Sequence, residues 1–247
     1  MNFTASVFLL FFILIEFPSY SQRSGKITYT CTTNFEDNTS HREGSQSTFV
    51  LYFSNQESLY VNEDEAVAAT AGNDHFKITI TGASVYKDFI QKRISGQDFI
   101  LTKAYIVQEP LFDIKWELTK EHKKIGSYLC QKAISVFRGR TYHAWFTTDI
   151  PVSNGPWKLH GLPGLILEAY DTTGVVTFLA RSIEQTETSA KVAPPSKGIT
   201  VTRETFVAER EKKLKQLQQF LKSSTSKSPS AEVTVSIKLS DTLEIGE

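Results

Sequence analysis

The chain has 247 residues, with 27 Lys plus Arg balanced by 27 Asp plus Glu. A formal charge of zero gives no electrostatic reason to expect nucleic acid or an anionic membrane surface as the main partner. Aromatic residues make up 12% and there are only two cysteines, so length and composition suit one large β domain or two small ones.

Residues 7–17 are apolar apart from Glu16, and Ser19-Tyr20-Ser21-Gln22 follows with small residues suited to cleavage. The stretch falls short of the ~20 apolar residues of a membrane span, and no later segment reaches that length. It reads as a secretory signal over residues 1–22, although its n-region lacks Lys and Arg. No cysteine stands at the cleavage point to accept a lipid. The expected product is a periplasmic or secreted protein with no integral membrane segment, a single domain over 23–247. Losing Glu16 would move its balance to 27 against 26.

Strands are expected at 26–33, 48–55, 76–81, 99–107 and 110–118, where β-branched and aromatic residues alternate with polar ones. Residues 62–74, acidic and ending in Gly72-Asn73-Asp74, read as a surface loop. Residues 125–137 and 141–148 bracket Arg138-Gly139-Arg140 as a hairpin or bulged pair, and 157–159, 165–170 and 175–180 continue the strands. Residues 202–222 predict the one helix, with Thr202 as N-cap and Glu204 in the first turn. Phe206, Val207, Leu214, Leu217, Phe220 and Leu221 fall mostly on one of its faces. A final strand is expected at 231–239. Short strands with tight connections indicate an antiparallel sheet.

The most informative stretch is 154–171, which contains Gly155-Pro156, Trp157 and the run Gly161-Leu162-Pro163-Gly164-Leu165-Ile166. Leu162-Pro163-Gly164-Leu165 predicts a type II turn, with Gly164 supplying positive φ. Upstream lie Gly126-Ser127-Tyr128-Leu129-Cys130-Gln131-Lys132-Ala133, Arg138-Gly139-Arg140-Thr141-Tyr142, Ala144-Trp145-Phe146-Thr147 and Ile150-Pro151. Over this block, 125–171, the chain resembles the GLPGLI family of secreted bacterial proteins. Outside it the likeness is of arrangement only. The resemblance implies export and supplies no reaction and no catalytic residue.

The residues that carry chemistry are weighed on their own. No Gly-x-Ser-x-Gly elbow is present, and Ser153 before Asn154-Gly155 is a turn residue by type. Five histidines form no His-x-x-x-His or His-Glu-x-x-His pair and there is no Cys-x-x-Cys, so spacing gives no metal signal. Convergence of His143, His160, Asp149 and Asp171 would be needed for a metal site, and Asp149 with Asp171, or Glu168 with Asp171, would supply an acid and a base. Arg138 and Arg140 offer the plainer partners for Asp149 and Asp171 as ion pairs. Cys31 and Cys130 either pair across a loop of ~100 residues, worth ~4 kcal/mol on the chain-entropy model, or stay as two buried thiols.

These readings converge on a mainly β (α+β) fold: a strongly curved antiparallel sheet or half-open barrel with the helix packed across it. The expected function is a non-catalytic binding or carrier module of the cell envelope, with no cofactor. Its ligand is apolar or peptidic, or its partner another envelope protein. Trp116, Trp145, Trp157, Leu162 and Leu165 are the candidate ligand-binding residues. Alternatives are a hydrolase or metal-dependent enzyme using 138–171, or an interaction module displaying the Gly155–Ile166 loop.

Overall fold

A computed structural model describes residues 24–36, 42–62, 69–72, 75–78, 83–186 and 192–225. The secretory signal expected over 1–22 and the strand expected at 231–239 lie outside these residues. In chain order the strands are β1 (Ser24–Glu36), β2 (Arg42–Phe53), β3 (Glu57–Asn62), β4 (Ala69–Gly72), β5 (His75–Ile78), β6 (Ser84–Asp88) and β7 (Arg93–Ile100). Then come β8 (Lys103–Pro110), β9 (Glu117–Ile125), β10 (Tyr128–Phe137), β11 (Arg140–Thr147), β12 (Leu165–Asp171), β13 (Val176–Thr186), β14 (Ile199–Thr202) and the helix α1 (Arg203–Thr225).

Twelve strands form one open sheet in the order β14-β8-β7-β6-β3-β2-β1-β13-β12-β11-β10-β9, and β4 pairs with β5 in a separate hairpin. Neighbours are antiparallel except β14, which runs parallel to β8 and leads directly into α1. Alternation decides the buried face. Ile27, Tyr29 and Cys31 of β1 point the same way as Phe49, Leu51 and Phe53 of β2, Tyr60 of β3, Ala169 of β12 and Phe178 of β13. All of these are at most 2% exposed. Tyr60 stacks on Phe49 with centroids 4.7 Å apart.

Two contacts link distant parts of the sheet order. The six-residue segment 111–116 joins β8, second in the order, to β9, last in it. The turn between β10 and β11 places Arg138 against Glu109 of β8.

Several expectations need correction. Residues 69–72, expected as loop, form β4, and β5 begins at His75, so the acidic composition hid a hairpin. The strand expected at 99–107 is split by a turn at Leu101, whose φ is 56°. That expected at 110–118 is mostly connection: Trp116 precedes β9, and the strand itself is charged and largely exposed. Lysines along such an edge discourage further pairing. Residues 157–159 are not a strand; only an isolated bridge joins Asn154 to His160. Among the α1 side chains described, which stop short of 221–225 and omit 218, only Phe206 is buried, against Tyr105, Val107 and Ile100, while Leu214 and Leu217 are half-buried and Phe220 is 65% exposed. The helix is therefore anchored at its first turn rather than along a full stripe.

Candidate functional site

Between β11 and β12 the chain folds onto the buried face of the sheet and bonds to itself. Val152 N–H donates to Ile150 O, Asn154 N–H to Val152 O, Leu159 N–H to Pro156 O, Leu165 N–H to Ile150 O and Ile166 N–H to Asn154 O, at 2.7–3.0 Å. Two glycines of the motif are required for different reasons. Gly161 has φ +94°, a left-handed conformation that strains other residues. Gly164 does not have the positive φ that a type II turn expects. It is needed for space: a Cβ there would lie 2.0 Å from the Thr147 carbonyl oxygen.

Lys87 of β6 fixes this loop from beneath. It is fully buried and its Nζ donates to Gly155 O at 2.8 Å and Leu159 O at 3.1 Å. Burial holds its amine well below the usual lysine range. Trp116 Nε1 donates to His160 O at 2.8 Å, bracing the far end. His160 is itself buried, and its imidazole is lowered to about 4 by burial and then by the neighbouring Lys87. Sequence reasoning missed Lys87 because a lysine in a short strand carries no signal of burial.

The loop aims Trp157 and Lys158 at the start of α1. Trp157, with φ 52°, packs edge-on to Phe137 at 5.7 Å and tilted against Tyr142 at 6.4 Å. Lys158 and Arg138 each pair with one carboxylate oxygen of Glu109, whose side chain is 3% exposed. Above this triad lies a cleft of about 80 Å³, walled by Phe49, Tyr60, Val85, Val107, Trp157 and Phe206. Asp98, Lys158, Arg203 and Arg210 add charge to its lining. A second, more polar hollow of about 420 Å³ adjoins it, lined by Gln108, Phe112, Arg138, Thr202 and Glu204. Glu109 and Arg203 line both spaces.

Of the candidate ligand-binding residues, Trp157 lines this cleft. Trp116 instead holds the loop. Trp145 lies on the opposite sheet face from Ala144, under Lys123 Nζ at 4.4 Å. Leu162 and Leu165 are in the core at 1% and 0% exposure. The expected ion pairs are partly redrawn. Arg140 Nη1 does reach Asp171 Oδ2, at 2.7 Å, but Arg138 pairs with Glu109 rather than with Asp149 or Asp171. Burial would raise the Asp171 carboxyl, yet hydrogen bonds from Thr173, Val176 N–H and Arg140 hold it below its ordinary value.

Two of the residues considered for catalysis, His143 and Asp171, do not meet. His143 pairs in register with Tyr170 and Asp171 with Tyr142, so the histidine and the carboxylate face opposite sides of the sheet. Ser153 Oγ accepts the Gly161 amide at 3.1 Å. Among the described residues no three His, Cys, Asp or Glu side chains are grouped to hold a metal. Cys31 and Cys130 do not form the disulfide considered above; both are buried free thiols. They sit on β1 and β10, four places apart in the sheet order. Burial pushes Cys31 up to about 12 and Cys130 to about 11, away from the reactive thiolate.

Residues 137–168 match one family model, described as "Protein of unknown function (Porph_ging)". That window contains Arg138, the loop and most of β12. No curated protein matches the chain. Among solved structures it is similar to PNGF-II in a P21 crystal form, with TM-score 0.55 and 16% identity over 77% of this chain and 34% of that one. PNGF-II in a C2 form gives TM-score 0.53 and 18% identity, over 78% of this chain and 33% of that one. The chain thus spans about a third of the length of these structures, and the likeness is one of fold.

Proposed function

We propose that the protein is an exported, non-catalytic binding module whose ligand occupies the cleft between the 147–166 loop and α1. The observation that carries this reading is the cleft itself. Aromatic and aliphatic walls meet a few charged groups there, which is the usual make-up of a ligand site. The loop that shapes it is fixed by a buried lysine and by backbone bonds, so the wall is formed before any ligand arrives. Such preorganisation favours binding because little order remains to be imposed.

A strongly curved, half-open sheet is part of this proposal, supported by a reach argument. Ten strand spacings of ~4.8 Å would separate β8 from β9 by about 48 Å in a flat sheet. The six residues that join them span at most roughly 25 Å. Bending the sheet towards its buried face would bring both ends to the same cleft. The leader-like residues 7–22 and the likeness of 125–171 to the GLPGLI family support export to the periplasm or beyond.

Native mass spectrometry of protein isolated from its own cell envelope tests the reading. A stoichiometric small molecule, lost when Val207→Trp fills the cleft, is the expected result. Protein that carries nothing, or that keeps its ligand in the filled variant, would overturn it. N-terminal sequencing of the same sample should find a chain starting near Gln22 or Arg23. An intact Met1 would remove export.

A further inference from the structure

We infer that the second half of α1 is a contact surface for an anionic lipid bilayer, with Phe220 seated in the interface and Lys212, Lys213 and Lys215 against the headgroups. This surface lies outside the cleft and its role does not depend on what the cleft holds.

Charge selects an anionic partner. The chain is neutral as a whole, but α1 and the residues after it are not evenly so. Residues 203–211 carry Arg203 and Arg210 against Glu204, Glu209 and Glu211, whereas 212–231 hold five lysines and no Asp or Glu. Lys212, Lys213 and Lys215 are exposed. Among the described residues none of the three is in an ion pair, although Glu209 and Glu211 stand one turn before Lys213 and Lys215. The helix ends at Thr225, and its dipole favours cations only within the last turn. These lysines lie further back, so capping does not explain them.

Geometry selects a surface. α1 is anchored by Phe206 in its first turn. Fourteen residues later, ~21 Å along the axis, Phe220 is 65% exposed. At roughly 100° per residue, Phe206, Leu214, Leu217 and Phe220 fall within an arc of about 120°. Lys212, Lys215, Gln216 and Gln219 fall on the opposite side. Lys213 stands inside the apolar arc, where its stem can run along apolar surface while the ammonium stays at the headgroups. Lysines on one face with Phe and Leu on the other are the make-up of a helix that lies in the plane of a bilayer interface. No described helix is long and apolar enough to cross a membrane, so the contact is peripheral.

Residue type selects lipid over protein. Every cation in 212–231 is lysine. Protein interfaces favour arginine and are poor in lysine, because a planar guanidinium makes the two-pronged pairs that fixed carboxylates require. A hydrated ammonium on a flexible stem suits a mobile layer of charge, which demands no fixed geometry.

The test is co-sedimentation of the full chain with vesicles of phosphatidylcholine alone and of equimolar phosphatidylcholine and phosphatidylglycerol. The protein should partition to the anionic vesicles and be released by salt. Each lysine near such a surface is worth about fivefold, so the triple variant Lys212→Gln, Lys213→Gln, Lys215→Gln should lose about a hundredfold. Phe220→Ala should lose about fivefold. Neither variant should shift the unfolding temperature without lipid, since glutamine keeps the helix propensity of lysine. Equal binding to both vesicle types, or a triple variant that binds like the parent, would overturn the inference. Polyglutamate that binds more tightly than the anionic vesicles, and binds the Phe220 variant as well as the parent, would overturn the lipid class in favour of an acidic protein. A failure here leaves the cleft reading standing, because retention of its ligand is measured separately.

Discussion

The 147–166 loop and α1 approach the same face of the sheet, but they are held in opposite ways. The loop is tied by five backbone bonds, a buried lysine and a tryptophan donor, and its side chains Leu159, Leu162 and Leu165 are at most 1% exposed. The helix touches the sheet through Phe206 and a few neighbours. The difference teaches where specificity and adaptability can reside. A wall that cannot move faces one that has few contacts to lose, and the cleft lies between them.

The largest expected effect breaks the rigid side. Gly164→Ala would drive a methyl group into the Thr147 carbonyl, a backbone atom that cannot swing away. A loss of about 4 kcal/mol or more in unfolding free energy is expected, which is enough to unfold many domains. Gly174→Ala is the control. Its φ is +72° but a Cβ there meets nothing within 4 Å, so the cost should stay near 1 kcal/mol. Equal losses in denaturant titrations would mean that Gly164 matters only for conformational freedom.

How much of this was readable in the sequence depends on the kind of signal. β1, β2 and β10 to β13 carry alternating apolar residues and were recognisable as strands. β6 was not, because Ser84, Val85, Tyr86, Lys87 and Asp88 are buried on both faces and show no alternation. β9 failed for the converse reason, being an exposed edge with almost no apolar face. The motif announced a shaped turn but not its geometry, since the close approach of Gly164 to Thr147 is set by packing. The cleft was harder still. Trp157 and Phe206 were each visible as notable residues, yet their meeting depends on β8 and the β10–β11 turn coming together, as the Glu109–Arg138 pair reports. No local pattern encodes that.

Acid should loosen the same rigid wall. In the unfolded chain an imidazole takes up its proton near pH 6.5, while folded His160 resists until about 4. Between these values the unfolded state binds more protons, so stability falls as pH drops from 6.5 to 4, by roughly 3 kcal/mol in all. Above pH 6.5 the group contributes no slope. Stability curves of the parent and His160→Gln, measured at intervals across this window, should converge towards the acid end. Parallel curves would show that His160 does not titrate as its burial implies.

On the adaptable side the effects shrink. Phe206→Ala removes the one buried side chain among those described on the helix, edge-on to Tyr105 at 5.5 Å. The expected cost is about 2 kcal/mol, below the usual range for a buried phenylalanine because neighbours can relax into the adjoining cleft. Amide exchange should quicken along α1 while the 147–166 loop keeps its protection. Loss of protection in both would make loop and helix one cooperative unit.

The smallest expected effect sharpens the contrast within the helix itself. Phe220 shares a residue type with Phe206 and follows it by fourteen positions, close to four helical turns. A sequence reading places both on one apolar stripe, and a stripe packed along its length would make the two substitutions comparable. Yet Phe206 is 3% exposed and Phe220 65%. Phe220→Ala should therefore change the unfolding free energy by less than about 0.5 kcal/mol. A loss approaching that of Phe206→Ala would mean that the distal half of α1 packs against something in the working protein. The helix would then be a second fixed wall, and the cleft could not adjust from either side.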